Sequence, residues 1–343
     1  MKPNPQNGQT FRPPHGLKTM RKLAILLLFI AFRASAQDTL SITLENVRYP
    51  YPVHFLPLKV EGQDIRMAYM DVQSANPNGK SVILFHGKNF GGYYWKDVIA
   101  ALAAQGYRVI VPDQVGFGKS SKPFIHYSFH EFARYNKALL DSLNISKVIV
   151  LGHSMGGMLA TRFTLMYPGF VEKLLLEDPI GLEDYRTFVP YQSIADDYKT
   201  ELKTSYASVK KYYQDSYFYS WKPAYEWLVA IGANVSKSAD FPRDAMVASM
   251  TYEMIYEQPV CYEFGNIKVP AVLFIGKQDN TIVGKALLSR EVQAQHGQYD
   301  VLGPETAKKI PGCKLIEFDH CKHIPHIEAK DEFLKALIEN LSK

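Results

Sequence analysis

The 343-residue chain is long enough for one large core with an inserted subdomain, and its apolar and charged content is that of a globular protein. Its formal net charge of +5 belongs to the first 36 residues, where six of the 39 basic residues lie (Lys2, Arg12, Lys18, Arg21, Lys22, Arg33) with no acid, so 33 basic residues remain against 34 acidic, net −1. With no dense Lys/Arg run after residue 36, nucleic acid and anionic membrane surfaces are argued against as partners.

Along the chain, Arg21 and Lys22 come first, ahead of the apolar run Leu23 to Phe32, and Ala34-Ser35-Ala36 follows with the small residues of a cleavage site. This is the pattern of a secretory leader cut after Ala36. The apolar run is too short for a bilayer, which takes roughly 20 residues to span. Met1 to Thr19 is polar and Pro-rich, unlike a leader, so Met20 is the expected start of translation. No Cys follows the run to accept a lipid, and the expectation is export to the periplasm or the medium with no stable membrane anchor.

Next, Val53 to Val60 and Ile65 to Asp71 alternate around the turn-prone Glu61-Gly62-Gln63-Asp64, which predicts a hairpin. Beyond it, short apolar runs alternate with amphipathic segments, as expected of a parallel sheet covered on both faces. The runs are Ser81 to Phe85, Arg108 to Val111, Val148 to Leu151, Leu174 to Leu176, Ala271 to Ile275 and Lys314 to Phe318. The predicted helices are Tyr94 to Ala104, Phe129 to Leu143, Met155 to Tyr167, stopped by Pro168-Gly169, and Phe333 to Leu341.

From about Ile180 to Phe264 there is no buried-strand run and aromatic residues crowd in, among them Tyr185, Tyr212, Tyr213, Tyr217, Trp221 and Trp227. A mainly helical insertion after the sixth strand, lying over the sheet's carboxyl edge, accounts for both features. Most of the rings would pack its own small core; a minority would line a substrate pocket. The chain therefore divides into a leader (1–36), an N-terminal part of the core (37–179), a helical lid (180–264) and a C-terminal part of the core (265–343).

Val148-Ile149-Val150-Leu151-Gly152-His153-Ser154-Met155-Gly156-Gly157 carries the chemistry. A buried strand runs straight into G-x-S-x-G and a helix follows, a turn so tight that side chains at the flanking positions would strike neighbouring backbone. Ser154 is thereby held at the strand tip as a nucleophile. A serine hydroxyl needs a base, and His323, beyond the last strand and before the final helix, is best situated, with His326 as its rival. A carboxylate must orient the histidine: Asp279, after the strand Ala271 to Ile275, gives the chain order Ser, Asp, His.

These strings resemble the α/β-hydrolase superfamily, in particular the lidded group of small esterases, carbon–carbon bond hydrolases, haloperoxidases and epoxide hydrolases. The likeness runs from about residue 50 to the C-terminus. Three more segments carry it: His86-Gly87-Lys88-Asn89-Phe90-Gly91-Gly92 after a buried strand, Asp113-Gln114-Val115-Gly116-Phe117-Gly118-Lys119-Ser120 after the next, and His323-Ile324-Pro325-His326-Ile327-Glu328. The resemblance implies an oxyanion hole built from the backbone N–H groups of Met155 and Lys88, with Asn89 as the alternative second donor. It gives His326 a structural role, and it keeps Asp178 as a rival acid because some relatives carry the acid on that earlier strand. The Lys88 side chain, a departure from the family's small or apolar residue, is expected to reach solvent or to meet an acidic group on the substrate. Asn89, Trp221 and Trp227 are the expected substrate contacts.

The implied activity is hydrolysis of a small or medium, partly apolar carboxylic ester through an acyl-enzyme. A carbon–carbon bond hydrolase or lactonase would use the same residues, and a non-catalytic small-molecule binder on the same fold is the alternative of another class. Ser154 in the elbow disfavours enzymes that use an aspartate nucleophile. No cofactor is implied and no histidine/carboxylate cluster has metal-ligand spacing. Cys261, Cys313 and Cys321 follow the leader; export permits a disulfide, for which Cys313 and Cys321, flanking a predicted strand, are the pair to consider, while three buried or free thiols is the simpler reading.

Overall fold

The computed structural model of the protein describes Met1 and residues 39–341. Apart from Met1, the leader expected at 1–36 lies outside the described residues.

Eight strands form one sheet in the order β1-β2-β4-β3-β5-β6-β7-β8. β1 (Val53–Val60) and β2 (Gln63–Val72) are the expected hairpin, and β2 pairs antiparallel with β4 (Arg108–Pro112). The remaining strands, β3 (Ser81–Phe85), β5 (Val148–His153), β6 (Val171–Glu177), β7 (Ala271–Gly276) and β8 (Lys314–Phe318), run parallel to β4 and to one another. Because successive strand residues point to opposite faces, Val148, Val150, Leu174, Leu176, Leu273 and Ile275 enter one hydrophobic core, while Ile149, Leu151, Leu175, Val272 and Phe274 enter a second on the other face. Both faces are thus buried, which is why the central strands read as unbroken apolar runs. Each side chain so buried contributes about 1.5–3 kcal/mol relative to exposure.

Helices cover the two faces: α1 (Lys96–Ala104), α2 (Phe129–Ser142) and α3 (Met155–Met166) in the first half of the chain. Ser128 caps α2, accepting a hydrogen bond from Glu131 N–H, as the Ser-x-x-Glu spacing suggests. Between β6 and β7 the chain forms α4 (Ile194–Glu201), α5 (Tyr206–Tyr212), α6 (Glu226–Asn234) and α7 (Phe241–Glu257); α5 runs on into a wider π turn, Tyr213–Tyr217. After β7 come α8 (Arg290–Gln293), α9 (Tyr299–Lys309), α10 (Pro325–Glu328) and α11 (Lys330–Leu341). Among the described residues no helix is long and apolar enough to cross a membrane.

The three cysteines are free thiols. Cys313 and Cys321 do flank a strand, and that separates them. Extended chain rises about 3.3 Å per residue, so β8 carries them far beyond the roughly 7 Å between Cα atoms that a disulfide tolerates.

The loop after β4 is tied to the rest of the fold by Asp113. Its carboxylate accepts hydrogen bonds from Tyr49 Oη (2.7 Å), Gly92 N–H (2.6 Å) and Lys119 N–H (2.7 Å). One buried acid thereby links the N-terminal segment to the end of the loop that follows β3.

Candidate active site

β5, at the centre of the sheet, ends in the sharp bend expected at Gly152-His153-Ser154-Met155-Gly156. Ser154 has φ +56° and ψ −121°, a left-sided conformation that is strained for any residue with a Cβ. The start of α3 can pack directly on β5 and β3 only because the positions flanking the serine carry no Cβ. A Cβ on Gly152 would press into the Gly156 carbonyl, and one on Gly156 into the Phe85 carbonyl, in each case rigid backbone. Gly152→Ala is therefore expected to abolish folded, soluble protein, whereas Gly169→Ala, where a Cβ meets open space, leaves the melting temperature within a few degrees. Circular dichroism melts of the two variants check this.

Three side chains from three loops meet beyond that bend. Ser154 Oγ lies 2.9 Å from His323 Nε2, and His323 Nδ1 lies 2.6 Å from Asp279 Oδ2. All three residues are buried, His323 completely. The carboxylate on Nδ1 selects the tautomer with the proton there, which leaves Nε2 to accept the serine hydroxyl. Asp279 reaches the ring because its loop is zipped to the next one: Lys277 N–H donates to Phe318 O and Gln278 N–H to Cys321 O, both at 3.0 Å. The second oxygen of Asp279 accepts the N–H of Thr281 at 2.9 Å.

Asp178, the rival acid, ends β6 one residue beyond Glu177 and takes φ +35°. Its carboxyl accepts the N–H of Gly276 at 2.9 Å instead of meeting the imidazole. Burial, and then the neighbouring charge of Asp279, push its pKa well above the ordinary carboxylate range. The rival histidine is also occupied elsewhere. His326 Nδ1 and backbone N–H both lie 2.8 Å from Glu177 Oε1, and its ring stacks on Trp95 at 4.3 Å.

Two further buried histidines, His86 and His153, hold loops together. His86 bridges Gly87 O (2.9 Å) and Gln114 N–H (3.0 Å). His153 Nδ1 is 2.9 Å from Tyr94 Oη, and Nε2 is 2.6 Å from the carbonyl of His323. Only an Nε2–H tautomer satisfies that carbonyl, so Tyr94 donates to Nδ1 and in turn accepts the N–H of Gly87 at 3.0 Å. Burial first, then the neighbouring histidines, drive the His153 pKa well below its usual value, consistent with a neutral ring. This chain connects the loop after β3, the bend after β5 and the loop of His323, and sequence reasoning missed it because its members lie far apart in the chain.

The loop after β3 borders the serine: a Cβ at Gly87 would lie 3.1 Å from Ser154 Cβ. Lys88 follows Gly87, and Met155 follows Ser154 as the first residue of α3, so both expected oxyanion donors belong to segments adjoining the serine. The Lys88 side chain is partly exposed, and its ammonium pairs with Glu201 of α4 at 3.6 Å. Asn89 donates from Nδ2 to Tyr217 Oη at 2.7 Å, and the Tyr217 ring stacks on His323, centroids 5.0 Å apart and planes 20° from parallel. Trp221 makes its ring contacts within the inserted segment, and Trp227 makes one with the segment after β3. Trp221 packs on Phe218 and Tyr225, and Trp227, 42% exposed, packs edge-on against Tyr93. The ring over the histidine is instead Tyr217, brought there by the π turn.

A family model described as the alpha/beta hydrolase fold matches residues 80–198, a stretch holding the loop after β3 and the whole bend. A solved structure of a probable hydrolytic enzyme from Pseudomonas aeruginosa is 42% identical, with a TM-score of 0.87, over 88% of this chain and 98% of that one. The chain belongs to the α/β-hydrolase family. A second member is more distant: the 2-hydroxy-6-oxo-6-phenylhexa-2,4-dienoate hydrolase of Burkholderia cepacia, 26% identical over 77% of this chain and 88% of its own length. An uncharacterized protein of Mycobacterium bovis is 38% identical over 105 residues, and there the chain spans under a third of the relative's length. As an α/β-hydrolase the chain has its helical segment between β6 and β7, and Ser154, Asp279 and His323 come from the loops after β5, β7 and β8 at the carboxyl ends of the parallel strands.

Proposed function

We propose that this hydrolase cleaves a small or medium, partly apolar carboxylic ester through an acyl-enzyme on Ser154. The observation that carries the reading is the buried relay of Ser154 Oγ, His323 and Asp279, with contacts of 2.9 and 2.6 Å. In this reading His323 Nε2 takes the hydroxyl proton as Oγ attacks the carbonyl, and Asp279 stabilises the imidazolium so formed. Charge on the carbonyl oxygen is met by the N–H groups of Lys88 and Met155, the latter at the N-terminus of α3, where the helix dipole favours an anion. His323 then hands its proton to the leaving alcohol, and water repeats the cycle on the acyl-enzyme. The segment between β6 and β7 acts as a lid, with Tyr217 as its contact to His323.

One observation favours a second reading with the same residues. The Burkholderia cepacia relative, matched over 88% of its length, is by name a hydrolase of a 6-oxo-dienoate, so a carbon–carbon bond next to a ketone is a competing target. Both readings require a reactive Ser154. The mature protein is expected to hydrolyse p-nitrophenyl acetate or butyrate and to take one fluorophosphonate label, found by peptide mass spectrometry on the Ser154 peptide. Folded protein that turns over neither ester and leaves Ser154 unlabelled would favour a non-catalytic binder.

A further inference from the structure

Lys88 carries an ammonium that the oxyanion loop has no need of, since the loop's proposed work is done by a backbone N–H. The side chain is 20% exposed, and the residue before it, Gly87, backs onto the serine, where an added Cβ would lie 3.1 Å from Ser154 Cβ. A half-buried ammonium needs a counter-charge, and Glu201, the last residue of α4, supplies it at 3.6 Å while itself 30% exposed. That separation is long for a charge-assisted hydrogen bond, which runs about 2.7–2.9 Å. The pair is loose and open to exchange. Glu201 is linked to the site through rings of the same segment: its charge acts on the Tyr212 hydroxyl, and Tyr212 packs edge-on, centroids 5.0 Å apart, on Tyr217, the ring stacked on His323.

Two further lysines lie on the loops that carry Asp279 and His323. Lys285 Nζ donates to Asn280 O at 2.9 Å, and Lys322 Nζ to Asp215 O at 2.7 Å. Lys285 is close enough to both Asp279 and Lys322 for each to act on it, and burial lowers its pKa before either does. The Asp215 carboxylate is engaged by Lys211 at 2.6 Å. Of these three lysines, Lys88 is the one ion-paired to a carboxylate among the described residues, and that carboxylate, Glu201, comes from the segment between β6 and β7.

We propose that Lys88 anchors a carboxylate on the substrate, which displaces Glu201, so that the preferred substrates are anionic acyl compounds with a second carboxylate several bonds beyond the carbonyl that Ser154 attacks. Exchanging one carboxylate for another preserves the ion pair of a part-buried lysine, whereas breaking the pair without replacement leaves a charge uncompensated. A neutral substrate gains nothing from Lys88. The inference rests on Ser154 as the reacting group, and it adds what that group acts on.

The test compares mono(4-nitrophenyl) glutarate with 4-nitrophenyl butyrate, and measures 4-phenylbutyrate binding by calorimetry on the same proteins. The expected kcat/KM ratio, anionic over neutral, is about tenfold or more in the wild type, the size of one charge-assisted contact. Lys88→Met is expected to lower that ratio about tenfold and to weaken 4-phenylbutyrate binding equally, Lys88→Arg to retain most of both, and Glu201→Gln to raise both. Because the readout is a ratio, a general loss from a disturbed loop cancels. Unchanged ratio and unchanged binding in Lys88→Met and Glu201→Gln, or a wild type indifferent to the carboxylate, overturns the proposal. Lys88-dependent binding of 4-phenylbutyrate by protein that cleaves neither ester supports the carboxylate site and instead sinks ester hydrolysis.

Discussion

Ser154→Ala is expected to lower kcat on p-nitrophenyl butyrate by about 10⁶-fold, the loss found when the serine of a serine-protease triad is removed, and to leave folding intact. The size follows from how the three groups act together. Without Oγ there is no acyl-enzyme, and His323 and Asp279 are left with no proton to move. What remains is binding and oxyanion stabilisation, typically worth 10³–10⁴-fold over water. Folding should be indifferent because alanine keeps the Cβ and the same strained φ of +56°; the hydroxyl's partner in the relay, His323 Nε2, loses one hydrogen bond, worth about 1 kcal/mol. Steady-state rates with a fluorophosphonate titration of the wild type, alongside thermal melts, measure both quantities. A variant retaining a hundredth of wild-type kcat would mean that another group does the chemistry.

Much of this site was legible because it is local. A buried strand, the Gly-x-Ser-x-Gly bend and a following helix form one contiguous string, and steric demand at Gly152 and Gly156 writes itself into the sequence. The strand runs were equally visible, since burial on both faces leaves unbroken apolar runs within β5 (Val148 to Leu151), β6 (Leu174 to Leu176) and β7 (Ala271 to Ile275). The helix α9 escaped because Gly303-Pro304 lies inside it, and both residues read as breakers. Tyr217 was one aromatic among many: the π turn at Tyr213–Tyr217 sets which of these rings meets His323, and the residue pattern does not announce such a turn. The Lys88–Glu201 pair joins residues from different segments, and nothing in the spacing of either announces the other.

The choice between Asp279 and Asp178 shows where geometry goes beyond the sequence, and it gives the second large expected effect. Asp279→Asn should cut kcat by about 10⁴-fold, as the corresponding change does in a serine protease. An amide at this position can turn its NH₂ toward His323 Nδ1, which favours the tautomer with the proton on Nε2, and that nitrogen can no longer accept from Ser154. Asp178→Asn should leave kcat within about tenfold of wild type, since its carboxyl holds Gly276 N–H and not the imidazole. Its effect should fall on stability, with a definite sign. Burial and the charge of Asp279 raise the folded-state pKa of Asp178, so between the unfolded value near 4 and the folded one the native protein holds a proton that the unfolded chain has released. Native stability therefore falls as pH rises through that window. Asp178→Asn removes the penalty and should melt higher than wild type at pH 7, with the advantage shrinking toward pH 4. Melts across pH 4–8, together with the two kcat values, decide the assignment: a fast Asp279→Asn beside a crippled Asp178→Asn would transfer the orienting role to the strand before the lid.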